Sequence, residues 1–172
     1  MFAMAGANRR HNLITGNIAG ELRSRLKGKP CETYPSDMRV LISAAGLYTY
    51  PDVSVVCEGP EFLDSKGDVL LNPLVIVEVL SDSTEADDRG AKFAFYQRLA
   101  SLKEYVLVAQ NMAQVEKYVR QSEESWLHSR VDDLESEIAL EALACRLPLS
   151  EIYDRVAFAA AGTGTIEAGQ KP

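Results

Sequence analysis

The sequence predicts an α/β fold, a mixed β-sheet flanked by helices. Three observations carry that prediction. Pro73 to Leu80 reads Pro-Leu-Val-Ile-Val-Glu-Val-Leu, apolar on both alternating faces, as a strand covered on two sides must be. Two stretches, 12–26 and 85–99, carry apolar residues at helical spacing. Between and after them lie short valine- and aromatic-rich segments cut by turn residues.

In chain order, Leu13, Ile14, Ile18, Leu22 and Leu26 share one face of the first helix. Asn8 stands where a cap belongs, and Gly28 with Pro30 ends it. Glu32 to Tyr34 and Met38 to Ile42 read as strands about a turn of Pro35, Ser36 and Asp37, and Gly46 marks a second turn. Asp52 to Cys57 is a third strand, and Gly59 to Asn72 a polar loop. The strand ending at Leu80 is central. Ser81, Asp82, Ser83 and Thr84 offer caps to a helix over 85–99, which Gly90 weakens by about 1 kcal/mol relative to alanine. Glu104 to Ala109 is another buried strand. Gln114 to Arg120 and Ser125 to Val131 form a hairpin, Ile138 to Leu140 a short strand and Leu149 to Tyr153 a helical turn. No repeat or linker interrupts this order, so residues 1–156 read as a single domain. Residues 157–172, mostly Ala, Gly and Thr, read as a disordered tail.

Composition narrows the function classes. With 47% hydrophobic and 25% charged residues, the 172-residue chain has the balance of a folded globular domain. No apolar run approaches the ~20 residues of a membrane span, and the N-terminus lacks the apolar core of a signal peptide. Cys31, Cys57 and Cys145 lie far apart, form no CxxC pair and show no disulfide spacing, which predicts free thiols in a cytoplasmic protein. The net charge of −7 argues at first against a nucleic-acid partner. Its distribution argues otherwise: residues 1–30 hold six basic side chains against Glu21 alone, and the other 142 hold 12 basic against 24 acidic. A basic helix on an acidic body reads either as a solvated surface or as a phosphate-facing element.

Three residues carry the chemistry. Glu78 interrupts the most apolar stretch of the chain, where an ionised carboxylate is costly unless paired or metal-bound. It lies near the C-terminal end of its strand, where ligands bind in open α/β sheets. Asp52, after Pro51, begins the preceding strand; antiparallel pairing would bring the two carboxylates together. Such a pair repels and calls for a cation, and an oxygen-rich site suits Mg²⁺ or Mn²⁺. Lys92 shares a helical stripe with Asp88 and Tyr96, at the edge of an apolar stripe of Ala91, Phe95 and Leu99. From there it could reach back to Glu78 and stabilise charge on a phosphate, or simply pair with Asp88. His11 and His128 are the only histidines, and no nucleophile elbow or Walker-type loop is present. Metal-assisted phosphodiester hydrolysis fits best.

The ordered set Tyr50-Pro51-Asp52-Val53, Pro73 to Ser81, Ser83-Thr84, Asp88-Arg89, Lys92, Tyr96 and Glu104-Tyr105 resembles the Uma-two family of restriction-endonuclease-like proteins, within the PD-(D/E)XK nuclease superfamily. So do Met4 to Ala7 with His11, and the segment Leu147-Pro148-Leu149, Glu151-Ile152-Tyr153. The resemblance implies a restriction-endonuclease-like fold, a divalent-metal site and DNA cleavage. Asp52 and Glu78 match the superfamily's two acids, and the backbone carbonyl of Val79 would be a further metal contact. The lysine two residues after the second acid is replaced by Leu80, and Lys92 is its natural substitute on the neighbouring helix. Arg9, Arg10 and His11 would meet the nucleic acid. Family members usually carry a further N-terminal segment with a Gly-Glu; this chain begins at about that point and would lack an edge strand and an acid there.

Two functions follow as expectations. The first is a Mg²⁺- or Mn²⁺-dependent DNA endonuclease, by analogy a homodimer that cuts two strands. The second is a nuclease-like domain that no longer cleaves and serves as a DNA-binding or assembly subunit, favoured by Leu80 and the short start. RNA ranks lower, since no stacking-aromatic motif of the RNA-binding type is present.

Overall fold

Two apolar layers, one on each side of a six-stranded mixed sheet, organise the protein. The computed structural model describes residues 8–159. In chain order its elements are α1 (Arg9–Arg25), β1 (Cys31–Pro35), β2 (Arg39–Ile42), β3 (Leu47–Thr49), β4 (Val53–Cys57), β5 (Val69–Leu70), β6 (Val75–Leu80), α2 (Glu85–Arg89), α3 (Ala91–Tyr96), β7 (Glu104–Ala109), β8 (Val115–Arg120), β9 (Trp126–Val131), β10 (Glu137–Leu140), β11 (Cys145–Pro148) and α4 (Leu149–Ile152). The large sheet runs β1-β4-β6-β7-β8-β9. All its neighbours are antiparallel except β6 and β7, whose parallel pairing requires the α2–α3 crossover. This is the α/β class expected.

The alternation of β6 supplies both layers. Val75, Val77 and Val79 face a cluster with Ile14, Ile18 and Leu22 of α1, Leu149 of α4 and the β10–β11 hairpin. Ile76 and Leu80 face Tyr96 of α3, Val40 and Ile42 of β2, and Tyr105. A small sheet, β3-β2-β5, closes that second side. Asn8 caps α1 by accepting from the His11 backbone N–H at 3.0 Å, a contact stabilising by about 1 kcal/mol. Gly28, at φ +83°, ends the helix region as expected.

Several expectations are corrected. The helix foreseen over 85–99 is two short helices broken at Gly90, where a Cβ would lie 3.1 Å from the Ala86 carbonyl oxygen. The stripe of Asp88, Lys92 and Tyr96 nevertheless carries across the break, since Lys92 pairs with Asp88 and shares Glu78 Oε1 with Tyr96. The buried face is Asp88, Phe93, Tyr96 and Leu99; Ala91 is exposed. The strands β3 and β5, of three and two residues, were too short to show alternation in the sequence, and β11 was not foreseen. Phe158, inside the expected tail, packs edge-on against Tyr153 at 5.3 Å; the rest of that tail, from residue 160, and Met4 to Ala7 lie outside the described residues.

Cys31 and Cys57 form a disulfide, against the prediction of free thiols. Their spacing of 26 residues says nothing by itself; the register does, setting the two directly opposite across β1 and β4 with Cα atoms 4.0 Å apart. Cys145 is free. Among the described residues no helix is long and apolar enough to cross a membrane.

Glu104, at the start of β7, is fully buried. Its Oε1 accepts from the Ala142 N–H at 3.1 Å, and its Oε2 has no hydrogen-bond partner among the described residues. Burial, and the neighbouring Glu141 carboxylate that favours its protonated form, push its carboxyl up to about 7. A carboxyl whose folded pKa exceeds its unfolded one stabilises the fold fully below the unfolded value and loses that stabilisation as pH rises through the folded value. Unfolding free energy is therefore expected to fall between about pH 4.5 and about pH 7, by roughly 1.4 kcal/mol per pKa unit of such a shift. Glu104→Gln should flatten this slope in denaturant titrations; an unchanged slope would count against it.

Candidate active site

Register brings the two acids together. Val53 of β4 pairs with Val77 of β6, so the next residues outward, Asp52 and Glu78, are neighbours. Both line one cavity of about 350 Å³ with His11, Val79, Asp88 and Lys92. The cavity thus draws on the start of α1, the approach to β4, the C-terminal half of β6 and the α2–α3 pair, from residues dispersed between Asn8 and Lys92.

Each side chain is held. Asp52 Oδ2 accepts from the Val79 backbone N–H at 2.7 Å and lies 3.2 Å from His11 Nε2. Glu78, 2% exposed, accepts from the Tyr96 hydroxyl at 2.8 Å through Oε1. Tyr96 is itself fully buried and also touches Thr49 Oγ1 at 3.2 Å. Lys92 Nζ bridges Glu78 Oε1 at 2.7 Å and Asp88 Oδ1 at 3.0 Å. Asp88 is as buried as Glu78, and its backbone carbonyl accepts from the Tyr105 hydroxyl at 2.9 Å.

The charges interact strongly. Burial pushes Glu78 up to about 7; the Asp52 and Asp88 carboxylates add to the rise, and Lys92 opposes it. Burial pulls Lys92 down, but Glu78 and Asp88 outweigh it and its pKa is raised. The hydrogen bond to Asp52 outweighs burial at His11 and raises its pKa as well. The lysine is thus a cation gripped by two buried acids.

The donor set fits a hard divalent cation. One oxygen of each acid is occupied by protein donors; Asp52 Oδ1 and Glu78 Oε2 have no hydrogen-bond or ion-pair partner among the described residues. Among the described residues no group of three or more His, Cys, Asp or Glu gathers for a metal. A cation here would use the two carboxylates and complete its shell with water, as Mg²⁺ does.

Of the residues singled out from sequence, Asp52, Glu78, Val79, His11 and Lys92 meet here. Arg9 is exposed, and Arg10 donates to Asn111 Oδ1 at 3.1 Å, whose amide in turn reaches Asp82. The remaining basic residues do not extend this patch. Arg23, Lys27 and Lys29 line a separate cavity of about 780 Å³ beside β1, and α1 spans roughly 25 Å end to end. The alternative of an exposed Lys92 paired only with Asp88 does not hold: the pair forms, but Asp88 is buried and Lys92 also binds Glu78. The position of Asp88 four residues before the lysine, with Tyr96 four after, was the signal. Ser81, Ser83 and Thr84 do not cap α2 through their side chains. Ser81 Oγ bonds Ser83 Oγ and Thr84 Oγ1 at 3.1 and 2.9 Å, a hydroxyl cluster on the cavity's rim.

Comparison with known proteins identifies the family and the fold. The Uma2 family profile, described as "Putative restriction endonuclease", matches residues 1–150. The sll1609 protein of Synechocystis sp. is 38% identical over 124 residues, covering 72% of this chain and 70% of its own. The slr1290 protein of the same organism is 32% identical over 161 residues, covering 92% and 82%. A crystal structure described as "a putative nuclease belonging to DUF820" from Anabaena variabilis ATCC 29413 shares the fold, with a TM-score of 0.72, 14% identity, and coverage of 88% of this chain and 84% of that one.

Proposed function

Since the chain belongs to the Uma2 family, we propose that it is a Mg²⁺- or Mn²⁺-dependent endonuclease hydrolysing phosphodiester bonds in DNA. The observation that carries the reading is the meeting of Asp52, Glu78 and Lys92 in one cavity, from three separate elements. Asp52 and Glu78 would hold the cation, with the Val79 carbonyl as a further contact. A cation so held supplies Lewis acidity, activating water and neutralising charge on the scissile phosphate. Lys92 remains protonated between its two acids and donates to a phosphate oxygen as charge develops there. His11 fixes the orientation of Asp52. Arg9 and Arg10, on the same first turn of α1, hold the phosphate backbone.

A plasmid-nicking assay with Mg²⁺ or Mn²⁺ tests this. Wild type should convert supercoiled DNA to nicked and linear forms, and Glu78→Ala should lose at least about 10²-fold in rate. Equal rates in the two would remove the proposed site. Binding without cleavage by either would favour a DNA-binding or assembly subunit.

A further inference from the structure

Beside the candidate site lies a second cavity of about 290 Å³, walled by Tyr48, Tyr50 and Phe95, with Asp87 and Lys92 in its lining. It shares Tyr50 and Lys92 with the catalytic cavity, so the two are contiguous. Tyr48 and Tyr50 are 48% and 56% exposed. Alternation along β3 explains the first: Thr49 turns inward to Tyr96, and Tyr48 turns outward. Neither ring belongs to either apolar layer of the fold.

We propose that this aromatic cavity receives an unpaired nucleobase next to the scissile phosphate, so that the preferred substrate is DNA with unpaired bases at the cleavage point. The inference rests on the nuclease reading of the neighbouring site. A nucleotide carries a flat π-face and an anionic phosphate a short, fixed distance apart. The adjoining cavities offer the matching pair, exposed aromatic rings on one side and the Lys92 ammonium on the other. Stacking on tyrosine is tolerant of base identity, because every base has a π-face. Asp87 makes no ion pair among the described residues and can accept from an exocyclic amino group. A base within an intact duplex is already stacked and cannot reach the cavity without being extruded.

The test uses the full chain and oligonucleotides carrying 2-aminopurine, either unpaired in a short gap or paired in a continuous duplex. Binding is read in EDTA by fluorescence, and cleavage separately in Mg²⁺. Stacking should quench the unpaired probe and leave the paired one little changed. The Tyr48→Ala/Tyr50→Ala double variant should lose the quenching and at least about fivefold in affinity for the gapped DNA, with the duplex affinity kept. Tyr48→Phe/Tyr50→Phe should retain both, and the melting temperatures of the variants verify folding. Alanine variants that bind and quench as wild type, or that lose gapped and continuous DNA equally, overturn the proposal. If wild type cleaves and the tyrosines are irrelevant, the nuclease reading stands without it. Selective quenching with no cleavage in any metal would sink the nuclease reading and leave the base cavity standing.

Discussion

Replacing Lys92 with alanine should lower the cleavage rate by roughly 10²–10³-fold, the loss typical of removing one group that stabilises developing charge. Lys92 is the cation that touches both Glu78 and Asp88. Without it two nearly buried carboxylates face each other with Asp52 beside them. Its positive charge opposes the rise of Glu78, so its loss moves that carboxyl further above about 7. A metal-binding carboxylate must be deprotonated. Residual activity of Lys92→Ala should therefore appear at higher pH than in wild type. Lys92→Arg, which keeps the charge, should recover part of the rate and return the profile toward the wild-type position. A rate and pH profile both unchanged in Lys92→Ala would show that the lysine only balances charge. The rate is read in the nicking assay, with thermal melting to verify that each variant folds.

Reduction of the Cys31–Cys57 disulfide should have the largest effect on stability. The bond closes a segment with a sequence separation of 26, for which the chain-entropy model gives about 3.5 kcal/mol. In a domain of this size, 1 kcal/mol corresponds to roughly 2–4 °C, so reduction should lower the melting temperature by about 7–14 °C. Thiol titration of the unfolded, unreduced protein should find one reactive cysteine, Cys145. Three reactive thiols, or a melting temperature indifferent to reductant, would exclude the bond in solution. The bond ties edge strand β1 to β4, which immediately follows Asp52, so reduction should also loosen the approach to the site.

Much of the site was legible because one residue broke a strong pattern. Glu78 stood out as a charge in the most apolar run of the chain, and physics leaves such a charge few roles. Asp52 was reachable from the same logic, through antiparallel pairing with the Glu78 strand. Lys92 was placed by helical spacing. Asp88 and Tyr96 were on that same stripe, yet their burial was hidden. Local spacing reports which residues share a face, and only packing against β6 and β7 shows that this face is the buried one. The disulfide was invisible for a related reason, since register across two strands depends on turns and packing far from either cysteine.

The sequence by itself determined the α/β class, the central doubly covered strand and the acidic pair. These rest on periodicity and on the cost of a buried charge, both properties of a short window of chain. Only the tertiary structure decided that Asp88, Tyr96 and His11 close around the two acids, that the basic residues of α1 split between two separate places, and that Tyr48 and Tyr50 wall a cavity beside the site. Those facts depend on how one element is rotated against another, and that rotation is set by packing over the whole domain.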